Sequence, residues 1–242
     1  MEGKTEIDVI ILSYAQNEEL KMITEHCISS LMISEDEMKV SFNVIVVESE
    51  KSLEPFQYEK TETIYPEEEF GYHRYLNLGI ASSSSKYICL CNNDVRFHPK
   101  WATELLKAFN RYYDLSSASP FCSFHHPKHG FVYNNGLYDG YRNRYEIAGW
   151  CIFLKRDLLR ITGKLDENYQ FWCADNDYAN TLFALNIRHA LVSSSVVDHL
   201  NCRTLDSIKI EGNPAVTADE FFYLEKKWNC RQGKPWLEIQ NQ

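Results

Sequence analysis

Asn92, Asn93 and Asp94 follow a short apolar segment and are the residues of this chain best suited to chemistry. The segment before them, residues 86–90, is typical of a buried strand, and Pro99 after them predicts the start of an amphipathic helix. A carboxylate and two amides just beyond the end of a strand can hold a divalent cation and a phosphate group. The three residues therefore predict a site for a phosphate-bearing ligand and its cation.

Groups suited to acid/base chemistry occur much later in the chain. Asp175 and Asp177 lie at the start of a predicted helix, and His199 follows a predicted strand. A carboxylate at a helix start tends to stay ionised, because the helix dipole favours negative charge there, and an ionised carboxylate can act as a general base. Together with residues 92–94, these groups predict an enzyme that acts on a nucleotide-linked substrate.

The first half of the chain alternates between strand and helix patterns, which predicts a parallel sheet. Strands are expected at residues 7–13, 42–47, 61–65 and 86–90, and helices after the first, third and fourth of them. Near-continuous apolar stretches of this kind are typical of strands that are covered on both faces. Ligands of such sheets bind beyond the carboxyl ends of the strands, where Ser13, Tyr14 and Glu48 also fall.

The second half is less regular. Residues 116–148 are rich in Ser, His, Gly, Asn and Tyr, and they predict loops and short strands that shape a substrate cleft. Strand patterns return at 149–154 and 188–193. Near the end, Thr217-Ala218-Asp219-Glu220 precedes apolar residues at helical spacing, which predicts a capping box and a C-terminal helix.

These patterns predict one catalytic domain over residues 1–200 and a C-terminal extension over residues 201–242 with an amphipathic helix. The domain would divide into a first half that ends at about residue 115 and a second half over residues 116–200.

The composition, with 44% hydrophobic and 24% charged residues, is that of a globular protein with one sizeable core. No apolar stretch approaches the roughly 20 residues needed to span a bilayer. The polar, acidic N-terminus does not resemble a signal peptide, and eight scattered cysteines without a CxxC pair indicate reduced thiols, so we expect a cytoplasmic protein. A net charge of −9 disfavours nucleic acid as a partner. A local basic patch could still form from Arg142, Arg144, Lys155, Arg156 and Arg160.

Taken in order, these segments resemble the family-2 glycosyltransferases, which are inverting enzymes with the GT-A fold. The resemblance covers roughly residues 7–200. It is carried by residues 13–18, 46–49, 71–80 and 92–94, and by Gly149, Asp166-Glu167, Asp175-Asn176-Asp177 and Asp198-His199. It implies an α/β fold in which helices flank a mostly parallel, Rossmann-like sheet, with a C-terminal helix. The half up to about residue 115 would then bind the donor, and the loop-rich half over residues 116–200 would bind the acceptor.

The resemblance also implies roles for the matching positions. Residues 92–94 match the DxD motif that binds a metal and a diphosphate, with Asn92 in place of the first acid. Asp94 would then bind Mn²⁺ or Mg²⁺, and His199 would complete the metal site. Asp175 matches the catalytic base, although Ala174 stands where a Glu usually precedes it. The nucleotide-diphosphate sugar would contact Ser13, Tyr14, Asn17, Glu48, Arg74, Asn77, Asn92 and Asn93. The acceptor side would include Gly149, Trp150, Trp172 and Asp177.

Several alternatives stay open. The acceptor hydroxyl could belong to a glycan, a lipid-linked sugar, a protein or a modified DNA base, and the net charge disfavours the last. Asn92 and Ala174 also fit a catalytically inactive module that binds a sugar nucleotide or a glycan. A nucleotidyltransferase normally carries a Gly- and Arg-rich phosphate loop after the first strand, which residues 13–17 lack. The histidines at 125, 126 and 129 lack a Cys or acidic partner at ligand spacing, which disfavours zinc. The sequence indicates no oligomeric state.

Overall fold

The computed structural model describes residues 3–200 and 214–230, with the side chains of the last segment described from residue 218 onward. None of the helices in these residues is long and apolar enough to cross a membrane.

The first half of the chain forms the predicted parallel sheet. β1 (Thr5–Ser13) lies between β2 (Val40–Glu48) and β4 (Tyr87–Asn92), and β3 (Glu62–Ile64) pairs with β2. The connecting helices are α1 (Glu18–Met32) after β1 and α2 (Tyr72–Ala81) after β3. The register aligns the carboxyl ends of β1, β2 and β4, with Ser13 opposite Glu48 and Leu12 opposite Asn92.

Alternating side chains of the sheet enter two apolar cores. On one face, the odd-numbered residues of β1 pack with α1 and with α3 (Trp101–Arg111). On the other face, Ile10 and Leu90 pack with α2 and with α5 (Ala174–Ala184). Strand side chains point alternately to the two faces of a sheet, so a central strand covered by helices on both sides must be apolar throughout.

The second half adds strands of mixed direction. β8 (Cys151–Lys155) pairs antiparallel with β4, and β6 (Leu115–Phe121) pairs antiparallel with β8. β9 (Arg188–His199) then pairs in parallel with β6, and β5 (Val95–Phe97) and β7 (Leu137–Asp139) each pair antiparallel with β9. The resulting order is β3-β2-β1-β4-β8-β6-β9-β5. The sheet is therefore parallel from β3 to β4 and of mixed direction over its remaining strands.

The prediction of loops and short strands over residues 116–148 missed a buried strand. β6 lies between β8 and β9, and its Ser117 and Ser119 are fully buried. Ser117 Oγ lies 2.7 Å from the Tyr178 hydroxyl and 2.8 Å from His189 Nδ1. A polar sequence can form a core strand here because its hydroxyls have hydrogen-bond partners from other elements.

The C-terminal helix, α6 (Pro214–Trp228), is longer than predicted, and a short helix, α4 (Leu159–Thr162), follows β8. Because α6 begins at Pro214, Thr217 lies inside the helix and the predicted capping box is wrong. Proline is favoured at the first helical position, since its missing N–H would have no partner there.

The cysteines of the described residues are all buried and free of disulfides. Two of them, Cys89 and Cys151, lie on neighbouring strands with their sulfur atoms 3.6 Å apart. This agrees with the buried thiols that the sequence predicted.

Candidate active site

A short antiparallel ribbon brings His199 to Asp94. Asp94 immediately precedes β5, and the β5–β9 register places Val95 opposite His199. His199 Nε2 lies 3.2 Å from Asp94 Oδ1, and the His199 ring stacks on Trp150 with centroids 5.1 Å apart. A carboxylate oxygen and an imidazole nitrogen at this separation fit two ligands of a divalent transition metal.

The described residues contain no group of three or more His, Cys, Asp or Glu side chains that could hold a metal. Asp94 and His199 would therefore leave several ligand positions of a cation to phosphate oxygens and water, which is common where a cation binds together with a phosphate-bearing substrate. If phosphate oxygens and water fill the remaining positions, the Asp94 and His199 ligands fit the predicted Mn²⁺ or Mg²⁺.

Asp175 is the second residue of α5 and stands against Gly149. The residue before the helix, Cys173, has a left-handed backbone with φ 62°, which is uncommon for a residue other than glycine. Burial raises the pKa of Asp175, and the positive charge of Arg144 and a hydrogen bond from Asn143 partly oppose that rise. A carboxylate with a raised pKa is a stronger base than an ordinary one.

Tyr72 connects the two sides of the site and was not predicted. Its hydroxyl lies 3.1 Å from Asn92 Oδ1 and 3.2 Å from the Gly149 carbonyl oxygen. Burial and the nearby Asp175 raise the pKa of Tyr72 well above its usual value, so the hydroxyl stays a donor. A cavity of about 10 Å³ between Tyr72 and Asp175 has room for about one water molecule.

Glu48 is fully buried at the end of β2 and organises the neighbouring strand ends. Its Oε1 accepts hydrogen bonds from the N–H groups of Ala15 at 2.9 Å and Glu50 at 3.0 Å. Its Oε2 accepts the Tyr58 hydroxyl at 3.1 Å. Because the Tyr58 hydroxyl donates to Glu48, its single proton is not available to another acceptor.

A chain of hydrogen bonds continues from Tyr58 to the 92–94 segment. Ser13 Oγ lies 3.0 Å from the Tyr58 hydroxyl and 2.8 Å from Thr24 Oγ1, and Asn93 Nδ2 donates to Thr24 at 2.9 Å. With the Tyr58 proton on Glu48, Ser13 donates to Tyr58 and Thr24 donates to Ser13. Ser13, Glu48 and Asn93 thus belong to one buried network. Its other two members, Thr24 on α1 and Tyr58 in a loop, were not predicted, because neither lies at the end of a strand.

Residues 10–161 match the family model described as glycosyl transferase family 2. The match covers well over half of the 242 residues. The chain belongs to glycosyl transferase family 2. A comparison with curated proteins found no match.

Solved structures share the fold of this family-2 chain. GalNAc-T7, crystallised with UDP, GalNAc and Mn²⁺, gives a TM-score of 0.64 at 10% identity over 80% of this chain and 43% of that chain. Residues 1–349 of S. aureus TarS give a TM-score of 0.59 at 10% identity over 91% of this chain and 70% of that chain. The predicted α/β GT-A fold is confirmed. The family-2 chain spans less than half the length of the GalNAc-T7 chain.

Two further predicted donor residues of the family-2 chain lie just after β1. The Tyr14 hydroxyl accepts a hydrogen bond from Gln16 Nε2 at 2.5 Å, and burial raises the pKa of Tyr14. Asn17 caps α1, with its Oδ1 accepting the Leu20 N–H at 3.0 Å. The structure brings both near Ser13, and their contacts with a donor remain predictions.

The donor residues predicted on α2 contact the segment before α5. Asn77 Nδ2 donates to the Leu165 carbonyl at 2.8 Å and to Glu167 Oε1 at 2.9 Å. Arg74 Nη1 donates to the Glu69 carbonyl at 2.9 Å, and its Nε lies 3.6 Å from Glu167 Oε2. These side chains therefore attach α2 to residues 165–167, and a direct role in donor binding remains a prediction.

The predicted acceptor residues separate into two groups. Gly149 and Trp150 lie beside Asp175 and His199, and Trp150 Nε1 is buried without a hydrogen-bond partner among the described residues. Asp177 lies against α6 instead, where its Oδ1 accepts hydrogen bonds from three side chains, those of Tyr169, Lys227 and Trp228. Trp172 is half-buried beside Phe171.

Four of the five basic residues that could contribute to a local patch have partners of their own. Arg156 Nη2 lies 2.8 Å from the fully buried Asp8, Arg142 pairs with Glu146, and Arg160 pairs with Asp157. Lys155 Nζ donates to the Tyr113 carbonyl. Arg144 is the member whose charge acts on Asp175.

The histidines at 125, 126 and 129 are packed together without forming a set of metal ligands. His126 Nδ1 accepts the Cys122 N–H at 2.6 Å, and its Nε2 donates to the Tyr145 carbonyl at 3.0 Å. Both ring nitrogens are thus in use, and burial lowers the pKa of His126 to about 4. His125 and His129 have their rings 4.5 Å apart.

Proposed function

We propose that this protein transfers one sugar, with inversion and with the help of Mn²⁺ or Mg²⁺, from a nucleotide-diphosphate sugar to an acceptor hydroxyl. Family membership supports glycosyl transfer. The observation that carries the arrangement is the contact of the Tyr72 hydroxyl with both Asn92 and Gly149. Asn92 is two residues before Asp94, the proposed cation ligand, and Gly149 adjoins Asp175, the proposed base, so this one hydroxyl links the two parts of the proposed site.

Asp94 and His199 would hold the cation, which supplies Lewis-acid neutralisation of the leaving diphosphate when it is bound. An imidazole beside a carboxylate favours a transition metal such as Mn²⁺ over Mg²⁺. The presence of Mn²⁺ and UDP in the GalNAc-T7 crystal supports the same choice and makes UDP the first nucleotide to test.

Asp175 would take the proton of the acceptor hydroxyl. At the same time the acceptor oxygen would attack the anomeric carbon of the sugar, and the bond from that carbon to the diphosphate would break. Proton transfer to a positioned base contributes about 10²–10⁴-fold. Asp177 is the weaker candidate, because its Oδ1 already accepts hydrogen bonds from three side chains. A single displacement of this kind inverts the anomeric carbon.

The buried network from Glu48 to Asn93 would fix the shape of the donor side before the donor binds. Positioning of this kind lowers the entropic cost of bringing donor and acceptor together. The acceptor would approach from the side of Gly149, Trp150 and Trp172, and its chemical class stays open between a glycan, a lipid-linked sugar, a protein and a modified DNA base. The free cysteines support the further proposal of a cytoplasmic location.

Thermal shift with UDP, with and without Mn²⁺, tests the donor and cation sides together, because a ligand that binds the folded state raises Tm. We expect UDP with Mn²⁺ to raise Tm of the wild type and of the control variant Asp157→Asn, and EDTA to remove the shift. Asp157 is a suitable control because its side chain is exposed and pairs with the exposed Arg160. Asp94→Asn should lose the Mn²⁺-dependent part of the shift.

Release of UDP from a panel of UDP-sugars, measured with and without acceptors, then tests the reaction. We expect turnover by the wild type and none by Asp175→Asn, and the anomeric configuration of the product should be inverted by NMR. Binding of UDP without any turnover would favour the inactive binding module instead. If no nucleoside diphosphate raises Tm, the proposed donor class is wrong.

A further inference from the structure

The C-terminal helix α6 lies outside residues 10–161 that match the family model, and it packs on the segment that leads into α5. Leu224 of α6 is fully buried and forms an apolar cluster with Tyr169, Cys173 and Ala174. The ring of Tyr223 packs edge-on against Tyr169, with centroids 5.3 Å apart. The apolar face of α6 is thus buried against the residues immediately before Asp175.

Glu220 binds the backbone of the same segment. It is 4% exposed, and its two carboxylate oxygens accept the N–H groups of Phe171 at 2.7 Å and Trp172 at 3.1 Å. These amides directly precede Cys173, whose left-handed backbone turns the chain into α5. A buried carboxylate that satisfies two adjacent N–H groups holds the backbone in place at both of them.

Lys227 joins two acids on either side of this turn. Its Nζ lies 2.7 Å from Asp166 Oδ2 and 2.7 Å from Asp177 Oδ1. Asp177 is almost fully buried in the first turn of α5, two residues after Asp175. Without Lys227, the buried carboxylate of Asp177 would lose its counter-charge, so the position of the first turn depends on Lys227.

The opposite side of the segment is held by α2. The Tyr72 N–H donates to the Gln170 carbonyl at 2.7 Å, and His73 Nδ1 lies 2.9 Å from the Asp166 carbonyl oxygen. The segment 166–173 is therefore held between α2, which also carries Tyr72 of the site, and α6.

We propose that α6 is a positioning element for Asp175, and that Glu220 and Lys227 are positioning residues that act through the 166–177 segment. The proposal rests on the proposed transfer reaction, with Asp175 as its base. A displacement of about 1 Å at a catalytic group can cost about 10²-fold in rate. The α6 contacts therefore set the turnover of the enzyme, while donor binding depends on the ends of β1, β2 and β4.

The test compares Glu220→Gln and Lys227→Met with the control Lys226→Met, which makes the same change at the neighbouring, exposed position. We expect kcat to fall by about tenfold or more in the first two variants, with the donor KM and the Mn²⁺-dependent UDP shift within about twofold of wild type, since these report the donor side. Lys227→Arg should keep most of the wild-type kcat, because a guanidinium can still pair with both Asp166 and Asp177.

Hydrogen exchange provides a second measurement that needs no turnover. Glu220→Gln replaces one acceptor oxygen by an N–H₂ group, so the amide of Phe171 or Trp172 loses its partner, and we expect its exchange to accelerate by about tenfold or more. Lys226→Met should leave both amides at the wild-type rate.

An unchanged kcat in both Glu220→Gln and Lys227→Met would overturn the proposal. A joint loss of kcat, donor affinity and Tm would also overturn it if Lys227→Arg showed the same loss. If the wild type turns over no donor, the proposed reaction fails. In that case the exchange rates still decide whether α6 holds the segment: unchanged rates in Glu220→Gln overturn that role, and accelerated rates support it.

Discussion

The carboxylate of Asp175 occupies the space beside Gly149 that a side chain would fill. A β-carbon added to residue 149 would lie 2.2 Å from Asp175 Oδ2 and 2.3 Å from its Cγ. Both distances are far shorter than van der Waals contact. The position of the proposed base, Asp175, therefore depends on the lack of a side chain at Gly149. Gly149 is not part of α5 and lies two residues before the start of β8.

Gly149→Ala should displace the Asp175 carboxylate. We expect kcat to fall by about 100-fold, because the base would no longer reach the acceptor hydroxyl, while the UDP shift with Mn²⁺ persists. Steady-state kinetics and thermal shift measure the two effects. Gly3→Ala is the control, since an added β-carbon there meets nothing within 4 Å. Wild-type turnover in Gly149→Ala would show that Asp175 is not the base.

The acid limb of the pH profile should report Asp175. Burial raises the pKa of this carboxyl from its ordinary value of 3.8, and the positive charge of Arg144 lowers it in part. We expect kcat/KM to decrease as pH falls through the raised pKa, because the protonated acid cannot accept a proton. Arg144→Met should move this limb to higher pH, whereas Arg160→Met should not. Coincident limbs in wild type and Arg144→Met would contradict the assignment.

Asp175→Asn should abolish turnover without lowering stability. Because the pKa of Asp175 is raised in the folded state, its ionised form is disfavoured there. The folded state therefore gains stability from this group at low pH, where the carboxyl is protonated. That gain is lost as pH rises from the ordinary carboxyl pKa through the raised one, and at neutral pH the ionised group lowers the free energy of unfolding. The neutral amide lacks that cost, so Tm at neutral pH should equal or exceed that of wild type. A clear drop in Tm would show that ionised Asp175 stabilises the fold.

Glu48→Ala should destabilise the protein. The substitution removes a buried acceptor of two N–H groups and of the Tyr58 hydroxyl. Each buried donor left without a partner costs about 1–3 kcal/mol, so the free energy of unfolding should decrease by several kcal/mol in urea titrations. Glu54→Ala changes an exposed glutamate nearby and should stay close to wild type. Equal stability of the two variants would show that the network does not support the fold.

The parallel half of the fold could be predicted because its signals are local. Apolar stretches such as residues 7–13 and 86–90 are buried on both faces, and polar residues mark where those strands end. The same reasoning located Asp175 at a helix start and Asp94 just beyond a strand.

The other half depends on partners that the sequence does not reveal. β6 contains Ser117 and Ser119, whose hydroxyls are stable in the core because Tyr178, His189 and the Ala148 N–H are hydrogen-bond partners. Tyr72 was missed for a similar reason, since its two partners are 20 and 77 residues away along the chain. The predicted capping box was wrong because α6 already begins at Pro214, so Thr217 lies inside the helix and cannot be its N-cap.

Because all the described cysteines are buried, their reaction with a thiol reagent can be used to measure unfolding without an added label. A thiol reagent reacts with a buried cysteine only after the surrounding structure opens, so its labelling rate measures the free energy of that opening. Cys89 and Cys151, from adjacent strands of the sheet core, would label last, together with global unfolding. Mass spectrometry of labelled peptides would thus rank the stability of each part of the fold, apart from Cys202, which lies outside the described residues.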